Sequence, residues 1–302
     1  MLGPREDDVA GVSRRGGGTD ERPAVIPSVS RRHQVGDPST RSLLMTILGE
    51  FVQPTGQHVW TATLVHALTT LGIEEGSARQ ALARTAAEGW LSSERVGRRT
   101  RWLLTDAGRR LLAEGAHRIY TFGSDEPSWD GHWFVVLVSI PESMRVLRHK
   151  LRAQLSWAGF GSPSPGVWIS PRTAVAAEAK DILDNLELSS KALSFVAEYG
   201  ALGSERDMVN SAWDLAEIDC CYQEFITEFR GLKPTTPDDV FVAQIRLVHE
   251  WRRFPFLDPQ LPRELLPSQW SGTPAARLFR DQHQRWHDRA QRRWHEFAAE
   301  AE

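Results

Sequence analysis

Residues 74–104 read EEGSARQALARTAAEGWLSSERVGRRTRWLL, and the two halves of this stretch follow different rules. In the first half, Ala78, Ala81, Leu82 and Thr85 recur at helical spacing, which predicts a helix from near Glu74 to about Glu88 with those four residues inward. At 100° per residue its opposite face holds Gly76, Gln80, Ala83 and Ala87, flanked by Arg79 and Arg84. The second half reads as two strands, about Trp90–Val96 and Thr100–Leu104, joined through Gly97-Arg98-Arg99.

Working outward, Leu43, Leu44, Ile47, Leu48, Phe51 and Val52 make an amphipathic helix that Pro54 and Gly56 stop. Thr61 can cap a second helix carrying Leu64, Val65 and Leu68, which Gly72 closes. After the hairpin, Thr105 or Asp106 caps a helix reaching about Ile119. Three helices, a basic hairpin and a further helix make a winged helix-turn-helix over residues 38–120. Small outward residues let the third helix approach base edges, where Gln80 suits adenine and Arg79 or Arg84 suits guanine or phosphate. Ser77 belongs to the same candidate DNA-contacting set, with Arg95, Arg98, Arg99 and Arg101 of the hairpin placed to meet phosphates or a minor groove. A winged helix that binds a protein partner is the competing reading.

Composition agrees with a local nucleic-acid module. The chain has 302 residues and a net charge of −3, yet residues 41–120 carry ten basic against seven acidic side chains and are its one positive block. Hydrophobic residues at 41% and charged residues at 25% exclude a wholly disordered chain. Residues 1–37, rich in Gly, Arg, Pro and Ser, read as a disordered tail. The longest apolar run, Trp133–Ile140, is far too short for a membrane helix, and the Met-Leu-Gly-Pro-Arg start lacks a signal-peptide core. The only cysteines, Cys220 and Cys221, are adjacent and staple nothing, so a reducing cytoplasm is expected.

Residues 121–204 follow a β-α-β-β-α-β order. A strand over Trp133–Ile140 ends at Pro141. Ser143 can cap a helix with Met144, Leu147, Leu151 and Leu155 inward. Short strands flank a Ser-Pro-Ser-Pro turn, and a helix over Thr173–Leu186 leads to a strand over Ala192–Tyr199. That order predicts a ferredoxin-like middle domain. Residues 205–302 read as all-helical. Leu215, Ile218, Tyr222, Phe225 and Phe229 form a heptad-like seam suited to a bundle or a dimer interface. The fold class is therefore α+β, multidomain.

These segments together resemble the PaaX family of transcriptional repressors of aromatic catabolism. The resemblance runs from about Arg41 to Gly272. It is carried by Arg41-Ser-Leu-Leu-Met-Thr-Ile-Leu-Gly49, Arg79-Gln-Ala-Leu-Ala-Arg84, Val96-Gly-Arg-Arg-Thr100 and Leu104-Thr-Asp-Ala-Gly108. It continues through Trp129-Asp-Gly131, Pro165-Gly-Val-Trp-Ile169, Trp213-Asp-Leu215 and Leu247-Val-His-Glu-Trp-Arg-Arg-Phe254. It implies a homodimer that binds a double-stranded DNA operator and is released by an aryl-CoA thioester, phenylacetyl-CoA in the type members. It also implies an effector other than phenylacetyl-CoA in relatives serving other pathways.

Two clusters are candidates for that effector. Arg145, Arg148 and Arg152 share a helix face and suit the phosphates of CoA. His249, Trp251, Arg252 and Arg253 form the densest chemical group outside the DNA module. On one helix, His249 and Arg253 would share a face, with Trp251 or Phe254 beside an aromatic ring. Packing between domains with a salt bridge through Glu250 is the alternative for this cluster. His283 and His287 have metal-ligand spacing, but no Glu follows in a His-Glu-x-x-His pattern and no Cys pair is near, so no metal site and no resident cofactor are expected. The chain carries no P-loop, no G-x-S-x-G and no dinucleotide fingerprint, and it is not expected to be an enzyme.

Overall fold

The computed structural model describes residues 39–124 and 128–301. The tail expected over residues 1–37 lies outside the described residues. Helix α1 (Thr40–Ile47) starts at Ser39, whose hydroxyl accepts from the Ser42 amide at 3.2 Å. It runs into one π-helical turn, Leu48–Val52, whose Leu48, Glu50, Phe51 and Val52 are all buried. A turn with i→i+5 bonding shifts the register of the inner face, which is how a glutamate enters an otherwise apolar core.

A two-residue strand, β1 (Val59–Trp60), precedes α2 (Thr61–Thr70) and α3 (Glu75–Ala87). The cap position of α2 belongs to Trp60 rather than Thr61. The Thr61 hydroxyl instead donates to the Thr100 carbonyl at 3.0 Å and accepts from Trp102 Nε1 at 2.8 Å. Its strand partner lies close enough to outcompete the helix end. The hairpin strands β2 (Leu91–Val96) and β3 (Arg99–Leu104) pair from Leu91↔Leu104 to Val96↔Arg99, and β1 completes the sheet order β1-β3-β2. The turn is therefore only Gly97-Arg98, with Gly97 at φ +62° as a two-residue hairpin turn requires, and Arg99 is a strand residue. Thr105 caps α4 (Asp106–Thr121) through the Gly108 amide at 3.0 Å. A Cβ at Gly108 would lie 2.2 Å from the Trp90 carbonyl oxygen, so only glycine lets α4 rest on the base of the hairpin.

The middle region contains β4 (His132–Val138), α5 (Arg145–Trp157), β5 (Gly161–Ser164), β6 (Val167–Ser170), α6 (Ala176–Asn185) and β7 (Ala192–Glu198). Its sheet has the order β5-β6-β4-β7 with every pairing antiparallel. Phe134, Val136 and Val138 of β4 pack with Leu151, Leu155, Ala179 and Leu183 of the two helices in a core of their own. Trp133 and Val135 point the other way, into the main core. Coverage on both faces explains why β4 reads as a continuous apolar run rather than an alternating one. Ser143 does not cap α5; Met144 holds that position and is exposed. Ser162, Pro163 and Ser164 belong to β5 rather than to a turn. The sheet edge and an irregular register let a proline sit there.

Helices α7 (Glu205–Ala212), α8 (Leu215–Arg230), α9 (Pro237–Trp251), the short α10 (Phe254–Leu257) and α11 (Gly272–Glu300) complete the chain. The seam of Leu215, Ile218, Tyr222, Phe225 and Phe229 is buried within this chain, so it serves the intrachain bundle. A capping box at Thr236 and Asp239 with Pro237 at the first turn starts α9. The main core joins α1, α2 and α3 to α8, α9 and α11 without a break: Phe51 lies against Phe241 and Trp294 at ring distances of 5.3 and 5.2 Å. No described helix is long and apolar enough to cross a membrane.

Candidate nucleic-acid interface

Helix α3 buries Ala78, Ala81, Leu82 and Thr85, which turns Gly76, Ser77, Arg79, Gln80, Ala83, Arg84 and Ala87 to solvent. The buried Thr85 hydroxyl donates to the Ala81 carbonyl at 2.8 Å, so the inner face leaves no polar group unanswered there. On the outer face Arg79 is held along the helix by Glu75, with Nε and Nη2 at 2.9 and 2.6 Å from one carboxylate oxygen. Arg84 makes no ion pair among the described residues and stands free.

The hairpin sorts its four arginines into two pairs. Arg98 projects from the turn, and among the described residues Arg95 hydrogen-bonds the Gly97 carbonyl, at 3.2 Å. Arg101 lies directly opposite Glu94 and forms two hydrogen bonds with its carboxylate, both at 2.9 Å. Arg99 donates to the Ala301 carbonyl at 2.9 Å and lies 5.5 Å from the Trp60 ring. Two of the hairpin cations are thus held by other groups of the chain, Arg99 while itself exposed.

Behind this surface sits a charged hub that the sequence reading missed. Glu50, 3% exposed, accepts from Gln244 of α9 at 2.7 Å and from His283 of α11 at 2.8 Å, and the Tyr120 hydroxyl of α4 donates to its other oxygen. His287 lies 3.8 Å away, and Gln291 donates to the Glu50 backbone carbonyl at 3.3 Å. Burial alone pushes this carboxyl up. Hydrogen bonding to His283 and His287, the charge of His283 and the Tyr120 hydroxyl outweigh it and hold Glu50 well below the usual carboxylate range. Burial and the Glu50 charge push the Tyr120 hydroxyl up. The available signal was a lone acid, Glu50, inside the apolar run from Leu43 to Val52.

The cluster at the end of α9 is placed differently from the sequence expectation. Trp251 is 0% exposed, stacks on Phe279 at 4.8 Å and donates to the Ile119 carbonyl at 3.2 Å; its ring fills the core and is closed to a ligand. His249 Nδ1 lies 3.2 Å from the Thr46 hydroxyl, and Arg252 donates to the Ser42 carbonyl at 3.2 Å, both on α1. Burial first, then the Arg252 and Arg253 charges, push His249 down to about 3. Helix α9 ends at Trp251, two residues before Arg253, whose charge still reaches His249. Arg253 pairs with Glu250 at 3.6 Å and sits 5.2 Å from the Phe254 ring. On α5, Arg145, Arg148 and Arg152 are all exposed; Arg148 donates to the Pro141 carbonyl at 3.3 Å and Arg152 lies 5.9 Å from the Trp168 ring. Cys220 is exposed and Cys221 half-buried, with the Cys221 thiol pushed up by burial.

Three family models match in succession. They are described as PaaX-like protein at residues 39–108, PaaX protein central Cas2-like domain at 126–209, and PaaX-like protein C-terminal domain at 213–296. The transcriptional repressor PaaX of Escherichia coli strain K12 is 33% identical over 258 residues, covering 82% of this chain and 80% of its own. A solved structure, the uncharacterized protein Rv0674 from Mycobacterium tuberculosis, superposes with a TM-score of 0.60 at 23% identity, covering 84% of this chain and 98% of that one, and shares the fold. Fold and matches define a class, the α+β transcriptional regulators rather than the enzymes. Within that class, the chain belongs to the PaaX family.

Proposed function

We infer that this chain is a homodimeric, cytoplasmic repressor of an aromatic-compound catabolic operon. Residues 40–121 act as a winged helix-turn-helix, with α3 as recognition helix and β2–β3 as wing. The middle region is a ferredoxin-like βαββαβ fold, supported by the antiparallel order β5-β6-β4-β7. The observation that carries the reading is the outer face of α3. It is small, polar and exposed, with Arg84 beside it and Arg98 on the neighbouring turn. The 33% identity to a named repressor supports the regulatory role. Ser77, Gln80 and Arg84 then face base edges or flanking phosphates, and Arg95 and Arg98 neutralise backbone charge, while Arg79, Arg99 and Arg101 must first leave their present partners. Two such modules related by a two-fold axis match half-sites about 10 bp apart or a multiple of that.

An aryl-CoA thioester such as phenylacetyl-CoA is the proposed inducer, with Arg145, Arg148 and Arg152 offered to its phosphates and Arg253 to the thioester end. His249 and Arg252 join the response indirectly, because their contacts to α1 link the helical region to the reading module. Release from DNA needs only that the ligand bind the non-operator conformation better. Fluorescence anisotropy of labelled DNA from upstream of the chain's own operon, across a salt series and with phenylacetyl-CoA, tests both parts. Binding that weakens steeply with salt and is reversed by the thioester is expected. Tight binding indifferent to the thioester rejects that inducer, and absence of binding at low salt favours a protein-partner winged helix.

A further inference from the structure

Histidines 283 and 287 stand one turn apart on α11, without a His-Glu-x-x-His pattern or a nearby Cys pair. The fold supplies a third donor from 233 residues away. The π-helical turn after α1 swings Glu50 inward. One ligand atom from each of Glu50, His283 and His287 lies within 4.8 Å of the other two. We propose that Glu50, His283 and His287 form a binding site for one transition-metal cation of the zinc class.

Several observations meet at this point. The Oε1 atom lies 2.8 Å from one imidazole nitrogen and 3.8 Å from the other; donors held at about 2.0–2.2 Å around a tetrahedral ion stand about 3.4 Å apart, so the first pair opens and the second closes by about half an ångström. His287 Nδ1 is shielded from solvent and met only loosely by Glu50, at 3.8 Å, a gap that a cation between them would fill. Two imidazoles and one carboxylate favour zinc, cobalt or nickel over magnesium or calcium, which prefer oxygen donors alone. Gln244 donates to Oε1 at 2.7 Å and Tyr120 to Oε2, which fixes the carboxylate's orientation toward an ion. The His287 side chain is 42% exposed on the side away from Nδ1, so a turn of this ring admits the ion and a fourth, water ligand. Binding exchanges the proton shared between Glu50 and His283 for the cation, so protons are released as the metal enters. The ion would bolt the turn behind the reading module to α11, whose far end reaches the hairpin through Ala301 and Arg99.

The test uses the full chain, stripped with a chelator and titrated with Zn2+ alone by calorimetry, with Co2+ absorption as a second probe. One equivalent per chain is expected, with visible Co2+ bands of low coordination number and a raised Tm. His287→Ala, at a half-exposed position that the fold tolerates, should weaken Zn2+ binding on the order of 100-fold as one of three ligands is lost. His295→Ala, outside the cluster, should leave it unchanged. Absence of one-to-one binding, or equal affinity in wild type and a His283→Ala/His287→Ala double variant, would overturn the site. No DNA is present, so the outcome is independent of the operator experiment.

Discussion

The outer face of α3 and the end of α9 carry the same kinds of residue but have opposite fates. Both read in the sequence as dense chemistry. On α3 the four inward residues are Ala78, Ala81, Leu82 and Thr85, a narrow stripe that leaves Gln80 and Arg84 in solvent. On α9 eight residues are buried, Gln244 and Trp251 among them, so the helix is enclosed on most sides. His249 and Arg252 there tie α9 to α1, the neutral imidazole meeting the Thr46 hydroxyl and the guanidinium the Ser42 carbonyl. Chemical density in a sequence marks a site only where the periodicity also says which face is left uncovered.

The largest way to break this comparison is Trp251→Ala. Removing a fully buried indole that bridges α4, α9 and α11 should cost about 3–5 kcal/mol and lower the urea midpoint of the helices that share the main core in one transition. Unchanged stability with an altered inducer response would return Trp251 to the ligand.

Next comes pH. His249 is held at about 3 in the fold, against about 6.5 when unfolded, so the unfolded chain binds the extra proton between those values. The corresponding stability is complete above about pH 6.5 and lost as pH falls toward 3, amounting to about 2 kcal/mol by pH 5. Urea titrations at pH 7 and pH 5 should show it, and His249→Gln should flatten the difference. A wild-type slope retained in that variant would place the titrating group elsewhere.

On α3 the effects should fall on DNA and not on folding. Arg84→Ala and Arg98→Ala should each weaken operator binding by about 1–2 kcal/mol and reduce the salt slope by about one, with Tm unchanged. Near-wild-type affinity in both would sink the recognition surface. The smallest effect sharpens the same point. Arg79→Ala should weaken binding less than Arg84→Ala, because Arg79 is already engaged by Glu75, and that exposed pair should contribute less than about 0.5 kcal/mol to stability. Glu75→Gln, which frees Arg79, should tighten binding slightly in an anisotropy titration.

Much of the architecture was legible in the residues. Inner faces of α1, α3 and α8 followed from helical spacing, and the hairpin from Gly97 between two strand-like runs. Local caps were less legible. Thr61 and Ser143 look like caps, but a nearby strand captures the first hydroxyl and Met144 takes the position expected of the second. The hub around Glu50 was illegible in detail, because its partners come from α4, α9 and α11, up to 241 residues away. Arg101 looked free until the β-register set Glu94 against it.

The sequence by itself determined which residues face inward on each element, the element order and the family, because periodicity and turn chemistry act over a few residues. The tertiary structure alone decided which cations remain free, that Trp251 is core, and that Glu50, His283 and His287 meet. Those outcomes depend on how separate helices are brought together. No spacing within one segment encodes which distant side chain will satisfy a buried charge.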